Sequence, residues 1–591
     1  MIRMNNSKTV PDKGVFITLA IFLVAAFGYF YLVGNYILYF QETQSLFIFS
    51  GEYLHQHLLK PGALLEYSAR FLAQFYHSKF CGSLILAVIL TLPGIILYFI
   101  NKRLIPGISF SLLLLLIPSC LLLLMQANYY HLMEYNLGFI LILIYYKFLT
   151  HRRKYHRILV LILFPLFYYL AGAYAIIFVA LYIVHNLVFE KGKQKYVTSL
   201  LLLMIAAVTF LICWKILFLQ PVQQFLFSPL PLLENQAYSA TFSILTCYIV
   251  FYPLICKIAG WLKKRSLNKK IYPVLSALVV SAVTIFFLFK IYNPQTARVI
   301  ELERLIFAEK FDEAIILHEK KPSRNLIGQY FYNIALSETG QLCDRLFFGR
   351  QDFAAGSLVL PWGDAHLNRG AYFYYSIGLV NEAHRWAYEE MVVYGYRPQN
   401  IELLVKTSLI NGDYAMARKY LKILKRTIYY KSWAREFEKL ADNPDLIQSH
   451  PEMGEKIKLL PKTNFFIQFN EPQNNIPLIL EGQPDNRRAI EYYLAGLLLT
   501  KKVEIAVNNI RNMKESGYTR IPRHIEEAAL MYYNSTKIFP DLGRLTISPE
   551  SMARFDQYLI TYVGARQNPS LLKEIMQEKF GNTFWYYFHF K

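Results

Sequence analysis

Apolar positions run almost unbroken through the first half of the chain, whereas in the second half they recur every three to four residues among polar ones. The unbroken runs lie at about 14–40, 80–100, 106–126, 135–149, 157–171, 173–189, 197–219, 237–258 and 273–291. Each is long enough, or nearly so, for a helix across ~30 Å of hydrocarbon. The stretch 157–189 exceeds one span, and Pro165 and Gly172 offer a break, so it reads as a tight helical hairpin. Nine spans are therefore predicted. The first run is far longer than the ~7–15 apolar residues of a signal peptide. It ends in Tyr36-Ile37-Leu38-Tyr39-Phe40 rather than at a small-residue cleavage site, so it reads as an anchor.

Beyond residue 292 the periodicity is that of amphipathic helices, punctuated by Pro, Gly and Asn. Gly378, Val380, Ala383 and Trp386 recur as Gly412, Tyr414, Ala417 and Tyr420, a spacing of 34 at all four places. That is the period of the tetratricopeptide helix pair, in which a small residue lets two helices approach. The predicted fold class is all-α: a polytopic transmembrane helix bundle over 1–291, then a tetratricopeptide-like helical solenoid over 292–591.

Composition agrees. Hydrophobic residues make up 55% of the chain and charged residues 17%, against ~25% charged in an ordinary soluble protein. The formal net charge of +21 suggests nucleic acid until it is divided. Residues 1–291 hold 24 Lys and Arg against 7 Asp and Glu, and the rest holds 38 against 34. The excess sits in the apolar half, where it marks membrane sidedness; no nucleic-acid partner is expected. The N-terminus and the second, fourth, sixth and eighth connections carry 17 Lys and Arg. The others carry three, Lys60, Arg70 and Lys79, all within 41–79, and 220–236 carries none. By the positive-inside rule the N-terminus is cytoplasmic and everything after Tyr292 lies across the membrane. Five of the six cysteines fall in apolar runs and Cys343 stands alone, so neither a disulfide framework nor a zinc spacing is present. No cofactor or metal is expected.

Candidate chemistry gathers in the long non-cytoplasmic loop 41–79. Glu42, directly after the first anchor and among Tyr39, Phe40 and Phe47, could hold a raised pKa and act as a general base. Glu134, after Asn128-Tyr129-Tyr130-His131, and Glu234, in the uncharged connection, face the same side. These three are the candidate catalytic carboxylates; His55, His57, Arg70 and His131 are the candidate substrate-binding residues. Glu66 and Arg70, four apart on a predicted helix, read as an ordinary ion pair. The aromatic ending Phe580–Phe590 is expected to dock on the protein itself or to lie at the membrane surface.

Gln41–Phe47, Pro61-Gly62-Ala63-Leu64-Leu65-Glu66-Tyr67, Arg70-Phe71, Ile377–Glu389 and the Phe580–Phe590 ending resemble an uncharacterised family of Gram-negative bacterial polytopic membrane proteins. The likeness covers essentially the whole chain and implies the inner membrane. A fainter likeness, carried by the topology and Glu42, is to GT-C type membrane glycosyltransferases. These keep an acidic catalytic residue near the start of the first long outer loop. That resemblance implies a polyprenyl-phosphate-linked sugar as partner. Three readings stay open. The first is an envelope scaffold or interaction protein, with the bilayer as one partner and an envelope protein or glycan on the solenoid. The second is a GT-C-like transferase, and the third a transporter. Spans without charged centres disfavour the third.

Overall fold

The structure, a computed structural model, describes residues 13–104, 112–151, 154–218, 221–231, 236–263, 271–463, 465–468, 474–566 and 569–591. The described residues form helices joined by turns, with no strand among them. The chain divides into two compact units, Met1–Asn293 and Pro294–Lys591.

In the first unit the opening apolar run is two helices, Lys13–Leu32 and Asn35–Glu42. Val33 and Gly34 both donate their N–H to the Tyr29 carbonyl, which closes the first helix. The helix Lys79–Leu104 packs along Lys13–Leu32. Gly94 permits this approach, because a Cβ there would stand 2.7 Å from Leu19 Cδ2. Three helices are long and apolar enough to cross a membrane: Lys13–Leu32, Lys79–Leu104 and Gln194–Leu217. The number rises to five if each of two bent helix pairs counts as one span.

This corrects the expected nine. A helix rises ~1.5 Å per residue, so ~20 residues are needed to span. The runs at 135–149 and 173–189 become Met133–Leu149, 17 residues, and Tyr174–Phe189, 16 residues. The run at 157–171 is two short helices, Lys154–Ile162 and Phe164–Ala171, parted just before Pro165. The run at 237–258 bends by 62° ahead of Pro253. Prolines and glycines shorten what hydropathy alone joins. Of the apolar stretch of Gln194–Leu217 only 17% is buried in the protein. Leu200, Met204, Val208 and Leu211 stand exposed on it, which suits contact with lipid rather than water.

In the second unit, helices Ala371–Ser376, Val380–Tyr394, Pro398–Ile410, Tyr414–Leu424 and Lys431–Asp442 each pack on the next. The residues 34 apart hold matching places. Gly378 and Gly412 both take a left-handed turn, φ +81° and +76°. Ala383 and Ala417 are fully buried. This ordered stacking does not extend over the whole unit. Helix Arg487–Leu499 packs back on Leu326–Glu338 and on Leu342–Arg345, and Arg523–Thr536 also meets Leu342–Arg345. In a solenoid each repeat touches only its neighbours, so the expectation of a solenoid over 292–591 is not met. The carboxyl-terminal helix Phe584–Phe590 docks within the unit, with Phe584 and Trp585 fully buried.

Candidate functional site

Loop 41–79 folds onto the first unit through one glycine junction. Gly62, at φ +81°, donates its N–H to the Tyr169 carbonyl at 2.8 Å. Gly172, at φ +59°, faces it, and Ala173 N–H reaches the Ser228 carbonyl at 3.0 Å. Side chains at either glycine would strike Pro229, so only glycine lets the three backbones meet. Tyr169 adds a bond from its hydroxyl to the Leu58 carbonyl at 3.0 Å. Past Gly62 the helix Ala63–Ala73 buries Ala63, Leu65 and Ala69. It lies against Met133–Leu149 and Phe164–Ala171.

This seat brings Lys60, Glu66 and Arg70 up to Glu134. Lys60 Nζ donates to Glu66 Oε1 at 2.9 Å, and Ser228 Oγ donates to the same oxygen at 3.4 Å. The expected Glu66–Arg70 pair is thereby corrected: Glu66 pairs with Lys60, and Arg70 turns to the Tyr53 hydroxyl at 3.5 Å. The helix spacing allowed either partner, and the loop carrying Lys60 decided. Burial works against the Arg70 charge, but Tyr53, Glu134 and Glu66 outweigh it and hold the guanidinium protonated. Glu134 is half-buried just ahead of the 135–149 run. No hydrogen-bond donor among the described residues reaches its carboxylate. Burial first, then the negative charge of Glu66, pushes Glu134 up to about 7, against the pull of Arg70 and Lys60. A carboxylate titrating near neutrality can accept a proton from a bound hydroxyl. The two cations can face an anionic group.

The other predicted residues divide. His57 is buried, its Nδ1 2.8 Å from the Tyr53 carbonyl oxygen, and burial lowers its pKa. It joins the edge of the cluster; His55 is exposed and does not. Glu42 is 7% exposed, too enclosed to take a substrate directly, and stands 3.8 Å from His77 Nδ1. It is not among the charged groups that act on Glu134. Glu234 lies outside the described residues.

His131 belongs to a separate buried chain. Gln41 Nε2 donates to the His131 carbonyl at 2.7 Å, and Gln126 Nε2 donates to Gln41 Oε1 at 3.1 Å. Asn136 Nδ2 donates to Gln126 Oε1 at 2.6 Å, while its Oδ1 lies 3.0 Å from His131 Nε2. The Tyr238 hydroxyl closes the chain 2.6 Å from His131 Nδ1. Burial lowers His131 to about 4, and both ring nitrogens are engaged, so it is a neutral structural residue rather than a ligand. Sequence reasoning missed Lys60 and Ser228 as members of the cluster, and Gln126, Asn136 and Tyr238 as members of the chain. Amides inside apolar runs were the available signal, because buried amides need partners. Among the described residues no three His, Cys, Asp or Glu side chains converge as a metal would need.

A family model covers residues 13–591. The chain belongs to the family of unknown function DUF6057. No curated protein and no solved structure matches it. Membership in DUF6057 thus agrees with the uncharacterised family expected from the sequence and assigns no reaction to the Glu134 cluster.

Proposed function

We propose that this protein anchors a helical interaction domain on the far side of the bacterial inner membrane, where it scaffolds an envelope protein or glycan. The observation that carries the reading is a separate compact unit, Pro294–Lys591, joined to an apolar unit of three to five candidate spans. Three and five are both odd, so either number carries the second unit to the face opposite the N-terminus. The five-span count also keeps the basic residues alternating, with Lys263 to Lys270 on the N-terminal side and the uncharged 220–236 on the other. The hairpins over 371–442, with their 34-residue echo, are the tetratricopeptide-like part of the partner surface. The test is a pair of fusions at Lys591, alkaline phosphatase and green fluorescent protein. Phosphatase activity with a dark fluorophore supports the reading, and the opposite pair overturns it.

One observation favours a second reading, a GT-C-like transfer from a polyprenyl-phosphate sugar. Glu134 titrates near neutrality beside Arg70 and Lys60, a base next to two cations that suit a phosphate. Under this reading Glu134, rather than Glu42, takes the proton from the acceptor hydroxyl. Mass spectrometry of envelope glycans decides between the readings. A glycan lost on deletion, restored by the wild type and not by a normally inserted Glu134→Gln variant, favours transfer. Restoration by the variant favours the scaffold.

A further inference from the structure

The second unit encloses a cavity of about 260 Å³, walled by residues between Ile306 and Arg488. Pockets for drug-sized ligands run to ~300–1,000 Å³, so this one suits a group the size of a side chain. Its wall is charged in an ordered way. Lys406, 13% exposed, is held between Glu309 and Glu452, the latter at 2.8 Å. Both carboxylates overcome the effect of burial and keep the Lys406 ammonium protonated. The Tyr375 hydroxyl also donates to Glu452, at 2.8 Å. Deeper in, Glu338 lies between Lys456, at 2.7 Å, and Arg488, and Arg488 reaches Glu455 at 2.6 Å. With Glu402 the wall holds five carboxylates against three cations. Each cation is engaged by a wall carboxylate, so the cations offer an incoming anion little, and two negative charges remain in excess.

A second feature points the same way. Tyr372 forms part of the wall, and its ring stacks on Phe307 at 4.8 Å and 28°. Its hydroxyl makes no hydrogen bond among the described residues, and Glu390, Glu402 and Glu303 all bear on it electrostatically. An aromatic face under a negative field is a site for a positive group. A neutral hydroxylated ligand would leave the excess charge uncompensated in a partly desolvated space.

From the cavity, its charge balance and its aromatic wall we infer that it receives one alkylammonium or guanidinium group. That group comes from a free small amine or from a Lys or Arg side chain of a partner peptide. The inference deepens the reading of the second unit as the binding part of the protein and rests on it.

The test is titration calorimetry on the full chain in detergent micelles. The probes are 1,4-diaminobutane, an alanine-based peptide with one Arg, the same peptide with citrulline in its place, and inorganic phosphate. Binding of the diamine alone assigns the site to free amines, and binding of the Arg peptide alone assigns it to a basic partner. The Arg peptide should bind at least tenfold more tightly than its citrulline twin. Glu402→Gln should weaken the binding cation at least tenfold. Glu309→Gln, at the exposed rim, should weaken it less and guards against a folding defect in the first variant. Equal binding of the two peptides, preference for phosphate, no binding of either cation, or variants without effect would each overturn the inference. A failed titration with the second unit still across the membrane removes only the ligand assignment. A cytoplasmic second unit with intact titration removes only the proposed function.

Discussion

Glu527 anchors the carboxyl-terminal helix, and removing its charge should free that helix. The side chain is fully buried. Its carboxylate accepts from Phe584 N–H at 2.7 Å, His524 Nδ1 at 2.9 Å and Arg523 Nε at 3.1 Å. Its backbone carbonyl accepts from Trp585 Nε1 at 2.7 Å. Burial alone would raise its pKa, but His524, Phe584 N–H and Arg523 outweigh burial and hold it below the usual value. Glu527→Gln keeps the shape while removing the charge, and it turns an NH₂ donor toward donors. Breaking one side of such a buried pair costs ~3–5 kcal/mol. At about 3 kcal/mol, and ~1.4 kcal/mol per factor of ten, opening of the terminal helix should rise roughly 100-fold. Hydrogen exchange of the peptide covering 580–591, read by mass spectrometry, measures this directly. The sign with pH follows from the lowered folded pKa. The contribution is complete above the unfolded value of ~4.3 and fades as the pH falls through the folded one. Wild-type protection should therefore decline only below about pH 4.3, and the variant should lack that decline. Equal exchange in the two proteins at neutral pH would refute the reasoning.

Gly62→Ala places a Cβ 2.7 Å from Pro229 Cδ at φ +81°. It should lower stability by at least ~1–2 kcal/mol, whereas Gly51→Ala, with nothing within 4 Å of its Cβ, should cost nothing by that route. Equal melting temperatures for the two variants would count against the junction. Glu134 is raised in the folded state to about 7 from 4.5. The wild type should therefore lose stability as the pH rises between those values. Glu134→Gln should lack that slope and gain roughly 2 kcal/mol on the wild type by pH 8, read by thermal unfolding in detergent. Gln126→Leu strands Asn136 Nδ2 and Gln41 Oε1. It should cost ~1–3 kcal/mol for each stranded group in the same assay.

Much of the fold was legible because its signals are local. Helical periodicity, apolar run length and the Gly378–Gly412 echo are each contained within a few turns of chain. The candidate site was only partly legible. Glu134 and Arg70 were found because they are ionisable residues on one side of the predicted membrane. Their company was not, since Lys60, Glu134 and Ser228 are far apart in sequence and meet only through Gly62 and Gly172. Glu42 looked the better base because it follows the anchor directly, and no local signal showed that the fold would enclose it against His77.

The sequence by itself determined the helical class, the apolar first half and the charged second half. Side-chain polarity acts residue by residue, and no other arrangement would solvate both halves. The tertiary structure alone decided three things. It decided how many apolar runs are long enough to span, because that depends on where proline and glycine end each helix. It decided that the second unit folds back on itself rather than stacking in a line, because Arg487–Leu499 finds its apolar partners near residue 330. It decided which carboxylate keeps its proton near neutrality, because a pKa is set by burial and by neighbours in space.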